Sequence, residues 1–216
     1  MKDPGAPCTT DTLLLSSFAE AEPGSLIVEM GCGSGEAILK ASRRNPGCRW
    51  LGIDVRLPAL RILMASLPGH RLHGRVDALC LSVKRVPLAI APGIAETVIM
   101  NPPYGRDGAT RSSSSVERNT ARRGDSLLLS RFTRAGAHVL ETGGRLVIVN
   151  RPDALAGIML SCNAFDVPVV ELFPVGPSKG PCSRIVALCR KGAGQGTVIH
   201  PQRSAEQLMD MRQTSC

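Results

Sequence analysis

The chain contains 216 residues, enough for one sizeable hydrophobic core and too few for two ordinary domains. Hydrophobic residues make up 43% and charged residues 20% of the composition, as is typical of a globular protein. No apolar run approaches the roughly 18 residues that a membrane-spanning helix needs, and the first residues lack the apolar core of a signal peptide. These features predict one cytoplasmic domain over residues 1–202, followed by a peripheral tail over residues 203–216.

The chain has a formal net charge of +8 and eight scattered cysteines. Both features bear on whether it binds a nucleic acid or a metal. An excess of positive charge suits a polyanion such as a nucleic acid, although many basic proteins bind none. The cysteines form no C-x-x-C pair that could hold zinc. The sequence therefore predicts a basic protein without a bound metal.

Short apolar runs alternate with longer segments of helical period, which predicts an α/β fold with a mostly parallel sheet and helices on both faces. The predicted strands cover residues 25–30, 49–54, 72–76, 97–100, 145–150, 167–173 and 184–190. Helices are predicted over residues 13–19, capped by Thr10-Asp11, then after Gly35, over residues 57–67, from Asp125 to about residue 140, and from Pro152.

Three glycines on alternate positions, Gly31, Gly33 and Gly35, follow the first predicted strand and precede a helix. Glycines let the backbone turn sharply and let a ligand lie against it with no Cβ in the way. Glu36 stands where a dinucleotide-binding loop has its last glycine, and its carboxylate would repel a pyrophosphate. The loop therefore favours a nucleoside without phosphates.

Acidic residues lie at the ends of the neighbouring strands. Asp54 ends the second predicted strand, a position from which a carboxylate can accept both ribose hydroxyls, and Asp77 follows the third. S-adenosylmethionine carries ribose and adenine but no phosphate, and its sulfonium and amino groups favour an acid such as Glu29. We therefore expect S-adenosylmethionine to bind the glycines, Glu29, Asp54 and Asp77. The alternative is a tight turn beside two helix caps.

The fourth predicted strand ends in Asn101-Pro102-Pro103-Tyr104. Two prolines fix the backbone, so that the Asn101 side chain and the Pro102 carbonyl can present two acceptors to one point. An amino group on a flat ring has two N–H donors, and binding both draws its lone pair out of conjugation. Tyr104 can stack on the ring. We expect Asn101, Pro102 and Tyr104 to be catalytic and Asn101 also to contact the cofactor, the alternative being a plain strand-ending turn.

Residues 105–124 are rich in Ser, Arg, Thr and Gly and have no apolar period, which predicts a mobile surface loop. Residues 101–134 carry seven arginines against three acids, a net charge of +4. Arginine binds phosphate bidentately, and a basic segment can fold on RNA. The candidate RNA-binding residues are Arg106, Arg111, Arg118, Arg122 and Arg123. A loop that only aids solubility is the alternative.

The Asn-Pro-Pro-Tyr turn resembles the signature of class I methyltransferases that act on amino nitrogens of adenine or of protein glutamine. A wider match resembles the bacterial valine-tRNA adenine-N6 methyltransferases over residues 10–201. It rests on TDTLLL at residues 10–15, Ala121-Arg122, GGRL at residues 143–146, NRPD at residues 150–153 and RIV at residues 184–186. The resemblance implies a Rossmann-like fold of seven strands with the last antiparallel, S-adenosylmethionine as methyl donor, and an adenine beside a tRNA anticodon as target.

Three other functions compete with methylation of RNA adenine. Protein glutamine methylation uses the same turn, because a carboxamide also has two N–H donors, but about 24 residues before the glycine loop leave little room for the usual helical domain. DNA adenine methylation would need a separate target-recognition domain. A non-catalytic RNA-binding module that retains the fold is disfavoured by the intact Gly31, Asp54, Asn101 and Tyr104.

Overall fold

The computed structural model describes residues 9–103, 115–194 and 196–213, with side chains described outside residues 115–125 and 213. In this part of the chain eight strands form one sheet: β1 Leu26–Met30, β2 Arg49–Asp54, β3 Val76–Cys80, β4 Ala95–Met100, β5 Leu140–Asn150, β6 Val169–Val175, β7 Arg184–Arg190 and β8 Val198–Ile199. Their order is β3-β2-β1-β4-β5-β7-β6-β8.

Strands β1 to β5 are parallel, and β7 runs antiparallel to both β5 and β6. This arrangement confirms the predicted mostly parallel sheet with an antiparallel seventh strand. The eighth strand, β8, was not predicted. It pairs in parallel with β6 through two residues, too few to give a recognisable alternation in the sequence.

Seven α-helices lie in the described part of the chain: α1 Thr10–Phe18, α2 Glu36–Ala41, α3 Leu57–Ser66, α4 Val86–Ala89, α5 Ser115–Val139, α6 Leu155–Ala164 and α7 Ala205–Gln213. One core cluster contains buried residues of α1, α2, α3 and α7, and a second contains buried residues of α4, α5 and α6. The sheet is therefore covered on both faces, as predicted. None of the described helices combines the length and apolarity needed to cross a membrane.

Helix α5 begins ten residues earlier than the sequence indicated. The prediction placed its cap at Asp125 and a loop over residues 105–124, but residues 115–124 form its first turns. This stretch has good intrinsic helix formers, Glu, Ala and Arg, without an apolar stripe, so periodicity alone could not detect it. Residues 104–114 lie outside the described residues. The cap of α1 is Thr9 rather than Thr10-Asp11, since its side chain accepts from the Thr12 amide at 3.2 Å.

The predicted third strand over residues 72–76 is wrong in position. Backbone angles in the left-handed region at Arg71 (φ 56°) and Gly74 (φ 78°) turn the chain there. Strand β3 therefore starts only at Val76 and ends at Cys80. As a consequence Asp77, expected just beyond the strand, is its second residue.

The C-terminal segment is not the peripheral tail that the sequence predicted. Helix α7 buries Leu208, which is 1% exposed, in the same core cluster as α1. Arg212 donates to the Glu20 carboxylate at 2.6 Å and lies 4.7 Å from the centre of the Phe18 ring. One buried apolar residue in a helix gives little sequence signal, yet Leu208 anchors α7 on the fold.

Replacing Leu208 by alanine should lower the free energy of unfolding by about 2–4 kcal/mol, because a buried leucine is lost and a cavity remains. Met211→Ala on the same helix is the matched control, since Met211 is 39% exposed and an exposed site changes stability by only about 0.5 kcal/mol. Urea denaturation of both variants decides. Equal stabilities would show that α7 does not contribute to the core.

Candidate cofactor and amine site

The candidate site lies where the strand order of the sheet reverses. Met30, the last residue of β1, is in register with Ile53 of β2 on one side and with Met100 of β4 on the other. The residues that follow these strands therefore meet at one edge of the sheet. Chain connections leave β1 and β4 in opposite directions, which opens a crevice where ligands of such folds bind. The glycine loop, Asp54 and Asn101 are brought together there.

The three glycines of the loop have different neighbours. Gly31, Gly33 and Gly35 have φ of 78°, 57° and 77°, values that favour glycine. A Cβ on Gly35 would lie 2.3 Å from the Leu63 side chain, and one on Gly31 would lie 3.1 Å from the Phe132 ring. These two glycines thus allow α3 and α5 to pack on the loop.

Only Gly33 leaves space on the ligand side. Among the described residues, a Cβ there would come within 4 Å only of the tip of Arg56, at 3.0 Å, and the Arg56 side chain is 67% exposed. A flexible, exposed side chain can move aside at little cost. Gly33 therefore provides a cradle in which a flat-lying ligand can approach the backbone.

Four of the five amides of the glycine loop, residues 31–35, are already occupied. The Gly31 and Cys32 amides donate to the Ile53 carbonyl at 2.7 and 3.1 Å, the Gly33 amide donates to Asp54 at 2.8 Å, and the Gly35 amide donates to Cys32 at 2.8 Å. A phosphate-binding loop needs such N–H groups free to bind the anion. Their internal use agrees with the prediction of a ligand without phosphates.

Asp54 is buried at the carboxyl end of β2, with 6% of its surface exposed. Its Oδ1 accepts from the Arg56 amide at 2.8 Å and from Arg56 Nε at 3.2 Å, while Oδ2 accepts from the Gly33 amide. Burial acts to raise its pKa, but the hydrogen bonds from Arg56 and Gly33 outweigh burial and hold the pKa of Asp54 below its usual value. Asp54 is therefore an ionised acceptor. Arg56, which the sequence did not single out, must swing away before Asp54 can accept hydroxyl groups.

Asp77 is not part of this site. Asp77 is in register with Leu51, three residues before the end of β2, and its 70% exposed side chain forms an ion pair with Arg49 at 3.7 Å. The residue at the end of β3 is Cys80, which is in register with Asp54. The 63% exposed Val55 follows Asp54. An apolar surface, rather than a second carboxylate, therefore lies beside Asp54.

Glu29 is a buried carboxyl group without a complete set of partners. It is 6% exposed, and its Oε2 has no hydrogen-bond partner in the described structure. Burial raises the pKa of Glu29 to about 8, with smaller contributions from the charges of Asp54 and Glu36, while a hydrogen bond from the Ile38 backbone acts in the opposite direction. An unpartnered buried acceptor beside the glycine loop suits a cationic ligand group.

Asn101 follows β4 and has one end of its amide unpaired. Its Nδ2 lies 3.5 Å from Asp11 Oδ2, whereas its Oδ1 is buried and has no partner among the described residues. Pro102 is buried and Pro103 is exposed. The sequence indicated Asp11 only as part of a helix cap, so its contact with Asn101 was missed.

The remaining predicted residues cannot be placed in the site. Tyr104, Arg106 and Arg111 lie outside the described residues. Arg118, Arg122 and Arg123 belong to the first turns of α5, where side chains are not described. The described residues contain no group of three His, Cys, Asp or Glu side chains that could hold a metal ion.

The strand order, the glycine loop after β1 and the acid at the end of β2 define a Rossmann-like methyltransferase fold of class I. Residues 23–103, which include the glycine loop, Asp54 and Asn101, match a family model described as "Putative methyltransferase". The match ends at Pro103, the last residue of the Asn-Pro-Pro turn.

Curated relatives are RNA-modifying enzymes of greater length. The chain is 26% identical over 147 residues to the tRNA1(Val) (adenine(37)-N6)-methyltransferase of Vibrio parahaemolyticus, covering 67% of this chain and 59% of that protein. It is 30% identical over 137 residues to the ribosomal RNA small subunit methyltransferase C of Yersinia enterocolitica, covering 63% of this chain and 33% of that protein. The chain thus spans about three fifths of the first relative and one third of the second.

Solved structures share the fold. A "predicted O-methyltransferase" from Agrobacterium tumefaciens superposes with a TM-score of 0.70 at 21% identity, covering 90% of this chain and 85% of that one. TrmN from Thermus thermophilus gives a TM-score of 0.63 at 18% identity, covering 83% of this chain and 48% of that one. These likenesses confirm the predicted fold, and the names of the relatives agree with the prediction of a methyltransferase.

Glu29→Gln should stabilise the ligand-free protein above neutral pH. The pKa of Glu29 is raised from 4.5 to about 8 in the folded state, so unfolding releases a proton between these values and the unfolding free energy falls as the pH rises. Glutamine does not titrate. Relative to that of the variant, the unfolding free energy of the native protein should fall by on the order of a few kcal/mol between pH 5 and pH 8. Thermal unfolding at both pH values measures this, and parallel curves would contradict the raised pKa.

Asp54→Ala should weaken binding of S-adenosylmethionine by a factor of 30 or more, because charge-assisted hydrogen bonds contribute about 2–4 kcal/mol together. Asp77→Ala is the matched control. It removes an aspartate from the adjacent strand, and we expect the dissociation constant to stay within about twofold, since an exposed ion pair contributes little. Titration calorimetry compares the two variants. If both lost affinity for S-adenosylmethionine equally, Asp77 would have to be counted among the cofactor-binding residues.

Proposed function

We propose that this chain is an S-adenosylmethionine-dependent methyltransferase that methylates the exocyclic amine of adenine in RNA, with a tRNA as substrate. The observation that carries the proposal is the buried Oδ1 of Asn101, which has no partner among the described residues and lies at the reversal point of a methyltransferase fold. A buried acceptor without a donor costs free energy. Such an acceptor is retained where a bound ligand supplies the missing donor. We take the donor for Asn101 Oδ1 to be an N–H group of the substrate.

The residues beside Asn101 fit S-adenosylmethionine. Gly33 leaves room for a ligand against the backbone, and Asp54 is an ionised acceptor for ribose hydroxyls. Glu29 has an oxygen that is unpaired among the described residues and can accept from a positive group. The apolar surface of Val55 beside Asp54 suits the adenine ring. When bound, this cofactor supplies a methyl group on a positively charged sulfur: the amine nitrogen forms the new C–N bond while the C–S bond breaks with its electron pair left on sulfur, and the surplus N–H proton is released to water.

The protein's own part is to hold the amine. Asn101 Oδ1 accepts one N–H bond and the Pro102 carbonyl accepts the other, which favours a pyramidal nitrogen with its lone pair directed away from both acceptors. These bonds strengthen as positive charge develops on the nitrogen, so they stabilise the transition state more than the ground state. Tyr104 stacks on the ring and excludes water.

RNA is favoured as the substrate by charge and by the relatives. Arg106, Arg111, Arg118, Arg122 and Arg123 follow the Asn-Pro-Pro turn in sequence, so a phosphate chain can be bound close to the amine site. The first relative acts on a tRNA and the second is named for ribosomal RNA. The cytoplasm is the compartment where such an enzyme meets its substrate.

The test is methyl transfer from isotope-labelled S-adenosylmethionine to total tRNA, ribosomal RNA, DNA and protein in parallel, followed by mass spectrometry of the digests. We expect labelled N6-methyladenosine in tRNA. Asn101→Ala should lose at least about tenfold in rate, the equivalent of 1.4 kcal/mol or more of transition-state stabilisation, and should retain cofactor affinity within about twofold because Asn101 acts mainly on the amine.

Each substrate arm excludes a different possibility. Label in glutamine residues or in DNA adenine would replace RNA as the substrate and retain the amine-holding role of Asn101. Full activity of Asn101→Ala would remove that role. Binding of RNA without label in any arm would leave a non-catalytic RNA-binding module as the function.

A further inference from the structure

The amide of Asn101 is held at one end by a carboxylate from α1. Its Nδ2 lies 3.5 Å from Asp11 Oδ2, across 90 residues of sequence. Asp11 forms an ion pair with Arg184 and is only 7% exposed. An ionised carboxylate has no proton to donate, so the nitrogen of the amide, and not its oxygen, must face it. The buried oxygen is thereby left as the end of the amide that has no donor among the described residues.

The Asp11 carboxylate is itself fixed by Arg184 at the start of β7. Arg184 Nε donates to Asp11 Oδ1 at 2.5 Å, and Arg184 Nη1 donates to the Ser183 carbonyl at 2.8 Å. The two oxygens of Asp11 therefore have different partners, Arg184 at Oδ1 and Asn101 at Oδ2. Because charge-assisted bonds are short and strong, this arrangement resists rotation of the carboxylate.

We infer that Asp11 and Arg184 are positioning residues that set the direction of the Asn101 amide, so that Oδ1 rather than Nδ2 faces the substrate amine. The inference rests on the proposed function, since it matters only if Asn101 accepts from an N–H group. With the amide reversed, N–H donors of the enzyme would meet N–H donors of the substrate. Asp11 and Arg184 act through Asn101, and the amide rotation they prevent is otherwise easy.

A simpler role for Asp11 would be to stabilise α1. It lies in the first turn of that helix, where a negative charge interacts favourably with the helix dipole. That role needs neither burial nor an arginine partner from β7, and an exposed carboxylate would serve as well. It also predicts a different result, a loss of stability without a specific loss of rate.

The test exchanges the two side chains. At pH 8, Asp11→Asn should lower kcat by about 10- to 100-fold, as expected for a misplaced catalytic group, with cofactor affinity within about twofold. Asn101→Asp should lose at least as much, because two carboxylates would then face each other. The double variant restores one donor and one acceptor between positions 11 and 101, and we expect its kcat to exceed that of Asn101→Asp by about tenfold or more.

Glu20→Gln is the matched control. Glu20 follows α1 and forms ion pairs with Arg145 at 3.2 Å and Arg212 at 2.6 Å, so it resembles Asp11 in charge and arginine partners but has no contact with Asn101 among those described. Its kcat should stay within about twofold, as for an ion pair remote from the reacting atoms. If Asp11→Asn kept more than half of the native kcat, or if the losses in the double variant simply added, the positioning role would be refuted.

A readout without catalysis separates this inference from the proposed function. In asparagine-labelled protein, the side-chain amide protons of Asn101, assigned by their absence in Asn101→Ala, should exchange slowly and become faster in Asp11→Asn. Arg184→Met should shift them in the same direction and serves where Asp11→Asn does not fold. Slow exchange in a native protein that methylates nothing would refute the function and retain the orientation. Fast exchange in an active native protein would refute the orientation alone.

Discussion

The hydrogen bonds between the glycine loop and the end of β2 are the constraint on which the site depends. The Ile53 carbonyl accepts from two successive loop amides, and the Asp54 carboxylate accepts from a third. These bonds close the turn after β1, consume donors that would otherwise bind phosphate, and fix the carboxylate that a ribose requires. Because β1 also pairs with β4, the same turn determines where Asn101 stands. One set of contacts thus occupies the donors of the loop and places Asn101 beside it.

Much of the fold could be predicted because its signals are local. Apolar runs of five to seven residues, glycine after β1 and proline after β4 each report on a few neighbouring positions, and together they give the order of the central strands. The errors arose where that local pattern was weak. Residues 115–124 form a helix without an apolar stripe, β3 is displaced by left-handed residues before it, and α7 depends on a single buried side chain, Leu208.

The candidate site divides in the same way. Gly33 and Asp54 could be found from spacing, because the loop and the second strand are consecutive in the chain. Asp77 was wrongly assigned to the site because its strand was predicted to end at residue 76, whereas β3 ends at Cys80. Asp11 and Arg56 were missed for another reason: their importance comes from what they contact, and neither the 90 residues between Asp11 and Asn101 nor the rotamer of an exposed arginine can be derived from periodicity. The roles of Asp11 and Arg56 depend on burial and on pairing, which are properties of the folded chain.

The Asp11–Arg184 ion pair has a consequence for the order in which the molecule matures. Its partners are 173 residues apart, and closing so long a loop is slow and entropically expensive compared with pairing β1 and β2. On a ribosome, which releases the N-terminal part first, the cofactor cradle can form while β7 is still being synthesised. Asn101 acquires its fixed orientation only after Arg184 has emerged and docked. Under the proposed function, the cradle for the nucleoside would thus be complete in the nascent chain before the group that holds the amine.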